Sequence, residues 1–337
     1  MDMQLEYVYQ FFLIIMVWYL EVIMSFATDT KNELAHLIQE KKCCMLAEIS
    51  GFIRMCGSIK LAGGGKIKLV ISTENPAVAR HFKKMIKEYF SAEAELEIGQ
   101  GTSLKKGHSY LLTISVPEMS EQILRETGIL MVKEGVNYIS DGIYENLIKT
   151  KCCRKAYLRG VFLGTGILTD PEKAYHIEFL CNTQILANDV KKLINSFSGI
   201  SAKVVERKKS YVVYVKDSDQ IIDILNILGA HSQLFAFENT RIVKEMRNKT
   251  NRINNCDSAN LDKTLDASDR QMENIRKIEK LKGLDVLPSK LYEVAQLRIE
   301  NPDASLTELA EMLDPPMKKS GINKRFIKIE EYAKKLN

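Results

Sequence analysis

The sequence predicts an α+β domain built from two copies of one unit, followed by an all-α module. Three observations carry that prediction: an internal repeat through the first 245 residues, a matched pair of glycine-bearing helices within it, and a strand-free helical pattern from residue 269 onward. The 337 residues suffice for two compact domains at roughly 100–200 residues each. A composition 45% hydrophobic and 27% charged excludes collagen-like, low-complexity and wholly disordered chains. The net charge of +5 is too small to argue for a polyanionic partner, so the placement of the charge has to decide.

Cys43 and Cys44 recur as Cys152 and Cys153, and Gly51 and Gly57 recur as Gly160 and Gly166, all at one offset. Ala79 to Ile86 (ARHFKKMI) matches Ala187 to Ile194 (ANDVKKLI), and Ser109 to Ser115 (SYLLTIS) parallels Ser210 to Lys216 (SYVVYVK). Gln122 to Gly128 then faces Asp223 to Gly229 as a closing helix. Matches in one order point to a duplication, each half reading helix, two strands, helix, two strands, helix. The halves are expected over about 24–130 and 131–245. Strands are expected where β-branched and aromatic residues cluster between Gly, Asn or Pro, as over 66–73, 110–116, 175–180, 202–206 and 211–215. Val78, Phe82, Met85, Ile86 and Phe90 form a helical face between them.

A glycine inside a helix costs about 1 kcal/mol relative to alanine. A repeated pair therefore reads as close backbone approach between two helices, with Gly51, Gly57, Gly160 and Gly166 as the packing positions. The stretches Gly51 to Gly57 (GFIRMCG) and Gly160 to Gly166 (GVFLGTG) resemble the LAGLIDADG homing endonuclease motif. That resemblance implies two helices side by side at a pseudo-two-fold axis and a saddle of strands able to lie along DNA. It also implies a metal-binding acid just before the last glycine. Here that position holds Cys56 in one half and Thr165 in the other, and the second motif aspartate is replaced by Arg54 and Leu163. Magnesium is held by hard carboxylate oxygens, which neutral Cys and Thr do not supply. Asp170 and Glu172 lie past the helix end, out of place for a rescue. The expectation is a degenerate scaffold with no bound metal, cofactor or small-molecule substrate. Lys203, Arg207, Lys208 and Lys209 could meet phosphate on the strands, although such a run is more often a solvated turn.

The seven cysteines contain no C-x-x-C pair and no histidine at zinc-ligand spacing. They read as free thiols of a reducing cytoplasm, most of them buried as small hydrophobes. Residues 1–23 form an apolar extension too short to span a membrane comfortably, with Asp2 and Glu6 but no basic residue in the leader. It is expected to be a start assigned upstream of Met24, with a membrane anchor as the competing reading; no membrane association is expected.

From Arg241 to Arg252 five basic residues stand against one acid, Glu245. Residues 246–268 are polar and asparagine-rich and read as a linker. Beyond it, over 269–337, Met272, Ile275, Ile278 and Leu281 run at helical spacing to Gly283, and Leu291, Val294, Ala295, Leu297 and Arg298 form the next core face. Ser305 and Glu308 have the spacing of a capping box, and Asp314, Pro315 and Pro316 break the short helix that follows. The last helix carries a stripe at Ile322, Phe326, Ile329, Ala333 and Leu336. Seven Lys or Arg oppose two Glu between Met317 and Asn337. A capped short helix, a turn and a longer helix with a basic start describe a helix-turn-helix. Its expected contacts to double-stranded DNA are Lys318, Lys319, Ser320, Asn323, Lys324, Arg325 and Lys328, with Asn323 and Arg325 reading base edges and the lysines neutralising phosphate.

The stretch 248–264 (NKTNRINNCDSANLDKT) and the stretch 313–325 (LDPPMKKSGINKR) resemble the WhiA family, and the resemblance runs from Met24 to the end. It implies a cytoplasmic, nucleoid-associated transcriptional regulator linked to sporulation, cell division and chromosome segregation, and no enzyme. The front domain would be a scaffold, a secondary DNA clamp or a surface for another regulatory protein. The rival readings are an active endonuclease and a protein–protein adaptor.

Overall fold

The computed structural model describes residues 25–336 apart from 62, 64–65, 101–107 and 209. The apolar extension over 1–23 and Lys209 lie outside the described residues. The chain divides into two compact units at Lys244 and Glu245.

The first unit opens with helix α1 (Phe26–Leu34), capped by the Ser25 side chain, which accepts from the Thr28 N–H. The first repeat follows as α2 (Lys42–Cys56), β1 (Gly57–Leu61), β2 (Ile67–Thr73), α3 (Pro76–Phe90), β3 (Glu95–Gln100), β4 (His108–Ile114) and α4 (Pro117–Glu126). The second runs α5 (Lys151–Thr165), β7 (Gly166–Leu168), β8 (Ile177–Cys181), α6 (Gln184–Asn195), β9 (Lys203–Arg207), β10 (Ser210–Val215) and α7 (Ser218–Leu228). The two antiparallel sheets have the same order, β1-β2-β4-β3 and β7-β8-β10-β9. Between the repeats lies a hairpin, β5 (Leu130–Lys133) and β6 (Val136–Ile139). Glu134 and Gly135 turn it with φ of 53° and 79°, the two-residue turn whose twist suits paired strands.

One core serves both repeats. Leu69, Ile71, Leu112 and Ile114 from one sheet, and Ile177, Phe179, Val213 and Val215 from the other, face helices in a single buried cluster. At its centre α2 and α5 lie back to back. A Cβ on Gly51 would stand 2.4 Å from the Tyr157 carbonyl oxygen, and one on Gly160 would stand 2.1 Å from the Glu48 carbonyl oxygen. Both obstacles are backbone, which cannot rotate aside.

The other two predicted packing glycines act differently. Gly57 and Gly166 end their helices as C-caps and begin β1 and β7. A side chain there would strike Ile53 or Phe162 of the same helix, so their role is to let the chain turn from helix to strand. The third close contact between the helices belongs to Gly164, where a Cβ would stand 2.8 Å from the Met55 Cβ and 3.1 Å from the Cys56 Sγ.

Beside the glycine contact Glu48 is fully buried. Its Oε2 accepts from Arg159 Nη1 at 3.0 Å and its Oε1 is 3.0 Å from His81 Nε2, while Arg159 Nε donates to the Leu228 carbonyl at 2.7 Å. The pair ties α2 to α5, α3 and the end of α7 in a place where water cannot substitute.

Helix α8 (His231–Lys282) crosses the boundary between the units. The Glu33 carboxylate caps it, accepting from the Ser232 and Gln233 N–H groups at 2.7 and 3.0 Å. Residues 246–268, expected as a linker, are helical throughout. Asn and Asp each cost only a few tenths of a kcal/mol in a helix, and no Gly or Pro stands between Gly229 and Gly283 to stop it. Gly283, at φ 78°, does. The second unit continues with α9 (Ser289–Glu300), α10 (Leu306–Glu311) and α11 (Lys319–Lys334). Its core joins Ile275 and Ile278 to Leu291, Val294, Leu309, Leu313, Ile322, Phe326 and Ile329.

Three outcomes follow from these contacts. Gly160→Ala should destabilise the first unit by about 3 kcal/mol, at the top of the range for overpacking. Gly321→Ala, whose new methyl would meet only the flexible Met317 thioether, should be neutral or stabilise the second unit by up to about 1 kcal/mol. Amide hydrogen exchange in denaturant resolves the two units, and equal effects would contradict the packing assignment. Glu48→Ala should cost about 3–5 kcal/mol by leaving the Arg159 charge buried and unpaired, read as loss of protection across α2 and α5; a change below about 1 kcal/mol would refute it.

Candidate nucleic-acid interface

The helix-turn-helix is assembled from the capping box outward. The Ser305 N–H donates to the Glu308 carboxylate at 2.7 Å, and the Glu308 N–H donates to Ser305 Oγ at 3.3 Å. Those contacts hold the Glu308 carboxyl below its ordinary pKa, the Ser305 N–H first and its hydroxyl second. After α10 the turn is pinned where the Met317 N–H donates to the Ala310 carbonyl at 3.0 Å. Helix α11 then buries Ile322, Phe326, Ile329 and Ala333.

That stripe decides which side chains are presented. At about 100° per residue, Ser320, Lys324, Ile327 and Lys328 point away from it and Asn323 flanks it. All five are exposed, as are Lys318 and Lys319. Arg325 is the exception among the predicted contacts. It lies about 70° from the stripe on the side of α9, its Nη1 donates to the Lys290 carbonyl at 3.3 Å, and the Glu293 carboxylate is 3.5 Å away. These contacts link its guanidinium to α9. Ile327, 47% exposed, is the residue that sequence reasoning passed over; it broke no pattern because it lies off the stripe.

Arg298 supports the arrangement from inside. It is 1% exposed, and burial pulls its pKa down against the opposing charge of Asp303. Nη1 donates to the carbonyls of Asn301, Pro302 and Ala304 at 3.3, 3.2 and 2.5 Å, Nε donates to Gln271 Oε1 at 3.1 Å, and the guanidinium lies over the Phe326 ring. It therefore fixes the loop leading into the capping box against the helix that presents the basic face.

In the first unit the four positions of the degenerate motif are all engaged. Arg54 donates from Nη2 to the Gly128 carbonyl at 3.0 Å and from Nη1 to that of Ser140. Leu163 is fully buried. Thr165 Oγ1 donates to the Leu180 carbonyl at 2.9 Å. Burial pushes the Cys56 thiol up to about 11, opposed by Lys31, so it is neutral at pH 7. Lys31, itself pulled down by burial, lines a cleft with Ser72, Glu74 and Gly164. A cation and a neutral thiol share the place where a metal-binding acid would stand.

The strand face is mixed in character. Register puts Lys203, Val205 and Arg207 on one face with Glu178 and Leu180, and Arg207 Nη2 lies 3.4 Å from Glu178. The matching face of the first sheet carries Glu95 and Glu97 beside Lys60 and Lys68. Leu180, Val205 and Ile167 are exposed there. Among the described residues this face carries no continuous basic track.

The cysteine pairs, which linear spacing set aside as metal ligands, converge. Cys43 and Cys44 open α2, Cys152 and Cys153 open α5, and their four sulfurs lie within 4.8 Å of one another. The two-fold arrangement brings together residues 109 positions apart, which a search for short C-x-x-C spacings cannot detect. Among the described residues no helix is long and apolar enough to cross a membrane.

Comparison with known proteins agrees with this division. Residues 42–130 match the family model of the WhiA N-terminal LAGLIDADG-like domain, 154–247 the WhiA LAGLIDADG-like domain, and 250–333 the WhiA C-terminal HTH domain. The third match begins well inside α8, upstream of the boundary at 269 expected from sequence. The chain is 48% identical over 310 residues to a probable cell division protein WhiA of Alkaliphilus metalliredigens, covering 92% of this chain and 98% of that one. A protein of the same name from Thermoanaerobacter pseudethanolicus is 49% identical over 313 residues, with 93% and 98% covered. The fold is that of the crystal structure of full-length DUF199/WhiA from Thermatoga maritima, with TM-score 0.57, 23% identity, and 93% of this chain and 99% of that one covered. With two LAGLIDADG-like domains followed by a helix-turn-helix, and relatives of this identity along nearly its whole length, the chain belongs to the WhiA family.

Proposed function

We propose that this protein is a DNA-binding transcriptional regulator acting in cell division, and that it reads duplex DNA through α11. The observation that carries the reading is the exposed basic start of that helix, held outward by the buried stripe from Ile322 to Ala333. Lys318, Lys319, Lys324 and Lys328 would neutralise phosphates, Ser320 and Asn323 would hydrogen-bond in the major groove, and Ile327 would meet a thymine methyl. Arg325 is assigned to positioning α11. The relatives' name supports the link to cell division; roles in sporulation and chromosome segregation, and a cytoplasmic, nucleoid-associated location, extend the same reading.

The front domain is proposed to act without nuclease activity. Two-metal hydrolysis needs carboxylates on both sides of the scissile phosphate, and Cys56 and Thr165 offer none. Its mixed strand face, with exposed Leu180 and Val205, favours another regulatory protein over phosphate as its partner.

Duplex binding measured against salt tests the proposal. Log affinity should fall steeply with log salt, and Lys324→Ala and Lys328→Ala should each reduce the slope by about 0.9. Asn323→Ala should cost about 1–3 kcal/mol on the preferred sequence and little on unrelated duplex, whereas Arg325→Ala should weaken both alike. A slope near zero, or Asn323→Ala losses equal on every sequence, would remove the reading. Magnesium-dependent strand breakage abolished by Cys56→Ala or Thr165→Ala would establish the endonuclease alternative.

A further inference from the structure

We propose that Cys43, Cys44, Cys152 and Cys153 form a tetrathiolate site for one thiophilic divalent cation, zinc above all, which staples the start of α2 to the start of α5. The four Sγ atoms lie within 4.8 Å of one another. Around a single zinc with bonds of about 2.3 Å, tetrahedral sulfurs stand about 3.8 Å apart, so closing the site brings any pair of sulfurs together by about 1 Å at most. An iron–sulfur cluster would hold its cysteines farther apart, because iron and sulfide lie between them. Thiolate ligands alone select zinc over magnesium or calcium, which require oxygen. Cys44 and Cys153 are buried, Cys43 is exposed and Cys152 partly so, giving an enclosed site with a path for entry.

A second feature points the same way. Both helices begin Lys-Cys-Cys, both lack an acid in the first turn, and α2 has no side-chain cap. Cations at a helix start oppose the helix dipole. Lys41, Lys42, Lys151 and Lys155 therefore stand where positive charge is disfavoured. Binding changes that balance without redox chemistry: four S–H bonds release four protons to solvent, four Zn–S bonds form, and the complex carries a net charge of −2. Two helix N-termini and the surrounding lysines then face an anion.

The test uses the full chain, purified under reducing conditions without chelator. Elemental analysis should find about one zinc per chain, and X-ray absorption at the zinc edge should count four sulfur neighbours at about 2.3 Å. Cobalt(II) added to the metal-free protein should give the intense visible bands of a tetrahedral tetrathiolate, bleached by zinc. A Cys43→Ser, Cys152→Ser double variant should lose these bands and Cys256→Ser should keep them, with Tm raised by zinc only where the bands form. Zinc far below one per chain, oxygen or nitrogen neighbours in place of sulfur, or disulfides joining these cysteines under reducing conditions would each overturn the assignment. The absorption count on the unmodified protein decides the matter even if the double variant does not fold.

Discussion

Everything in the first unit depends on two backbones touching. Gly51 and Gly160 let α2 and α5 approach until a methyl on either would strike the other's carbonyl oxygen. That separation allows Glu48 on one helix to reach Arg159 on the other with no water between them. It brings the helix starts close enough for four sulfurs to converge, and it sets Gly164 against Met55 and Cys56 at the other end. Because each helix runs directly into a strand at Gly57 and Gly166, the same contact fixes where each sheet begins.

The two units solve a common problem in different ways, since each buries an arginine. Arg159 has a carboxylate partner, and the ion pair lies beside the helix contact it helps to define. Among the described residues no carboxylate is paired with Arg298; three carbonyls and one amide oxygen accept from it, with the Phe326 ring beneath. Desolvating a charge is costly unless its donors are satisfied. The return in the second unit is geometric: a loop that would otherwise wander is tied to the helix that carries the basic face.

Much of this was legible in the chain. The repeat predicted helix and strand order in both halves, because matched apolar spacing survives where identities do not. The stripe from Ile322 to Ala333 predicted the buried face of α11, and Ser305 with Glu308 its capped neighbour. What escaped was non-local or was decided by an absence. The continuous helix through 246–268 follows from a missing breaker, a weaker signal than the polar composition that suggested a linker. The contact of Arg325 with α9 needs its angle to the stripe together with the position of Glu293. Gly57 and Gly166 looked like Gly51 and Gly160 because sequence does not show which face of a helix end meets a neighbour. The cysteine cluster required knowing that the repeats are related by a two-fold axis.

The degenerate motif also bears on how such a scaffold can change its use. Loss of a metal site by simple deletion would leave polar cavities and unpaired charge, which interiors tolerate poorly. Here the replacements make contacts of their own: Arg54 supports the carbonyls of Gly128 and Ser140 although its buried Nε has no partner among the described residues, Thr165 bonds the Leu180 carbonyl, Leu163 fills apolar space and Cys56 lies beside Lys31. A carboxylate restored at position 56 alone would meet the Lys31 ammonium before any metal, and its counterpart at 165 would displace a hydroxyl already bonded to a strand. On the proposed reading, building a carboxylate metal site at these positions would take several concerted changes. On the proposed reading the helix pair serves packing, and duplex recognition falls to the basic helix of the second unit.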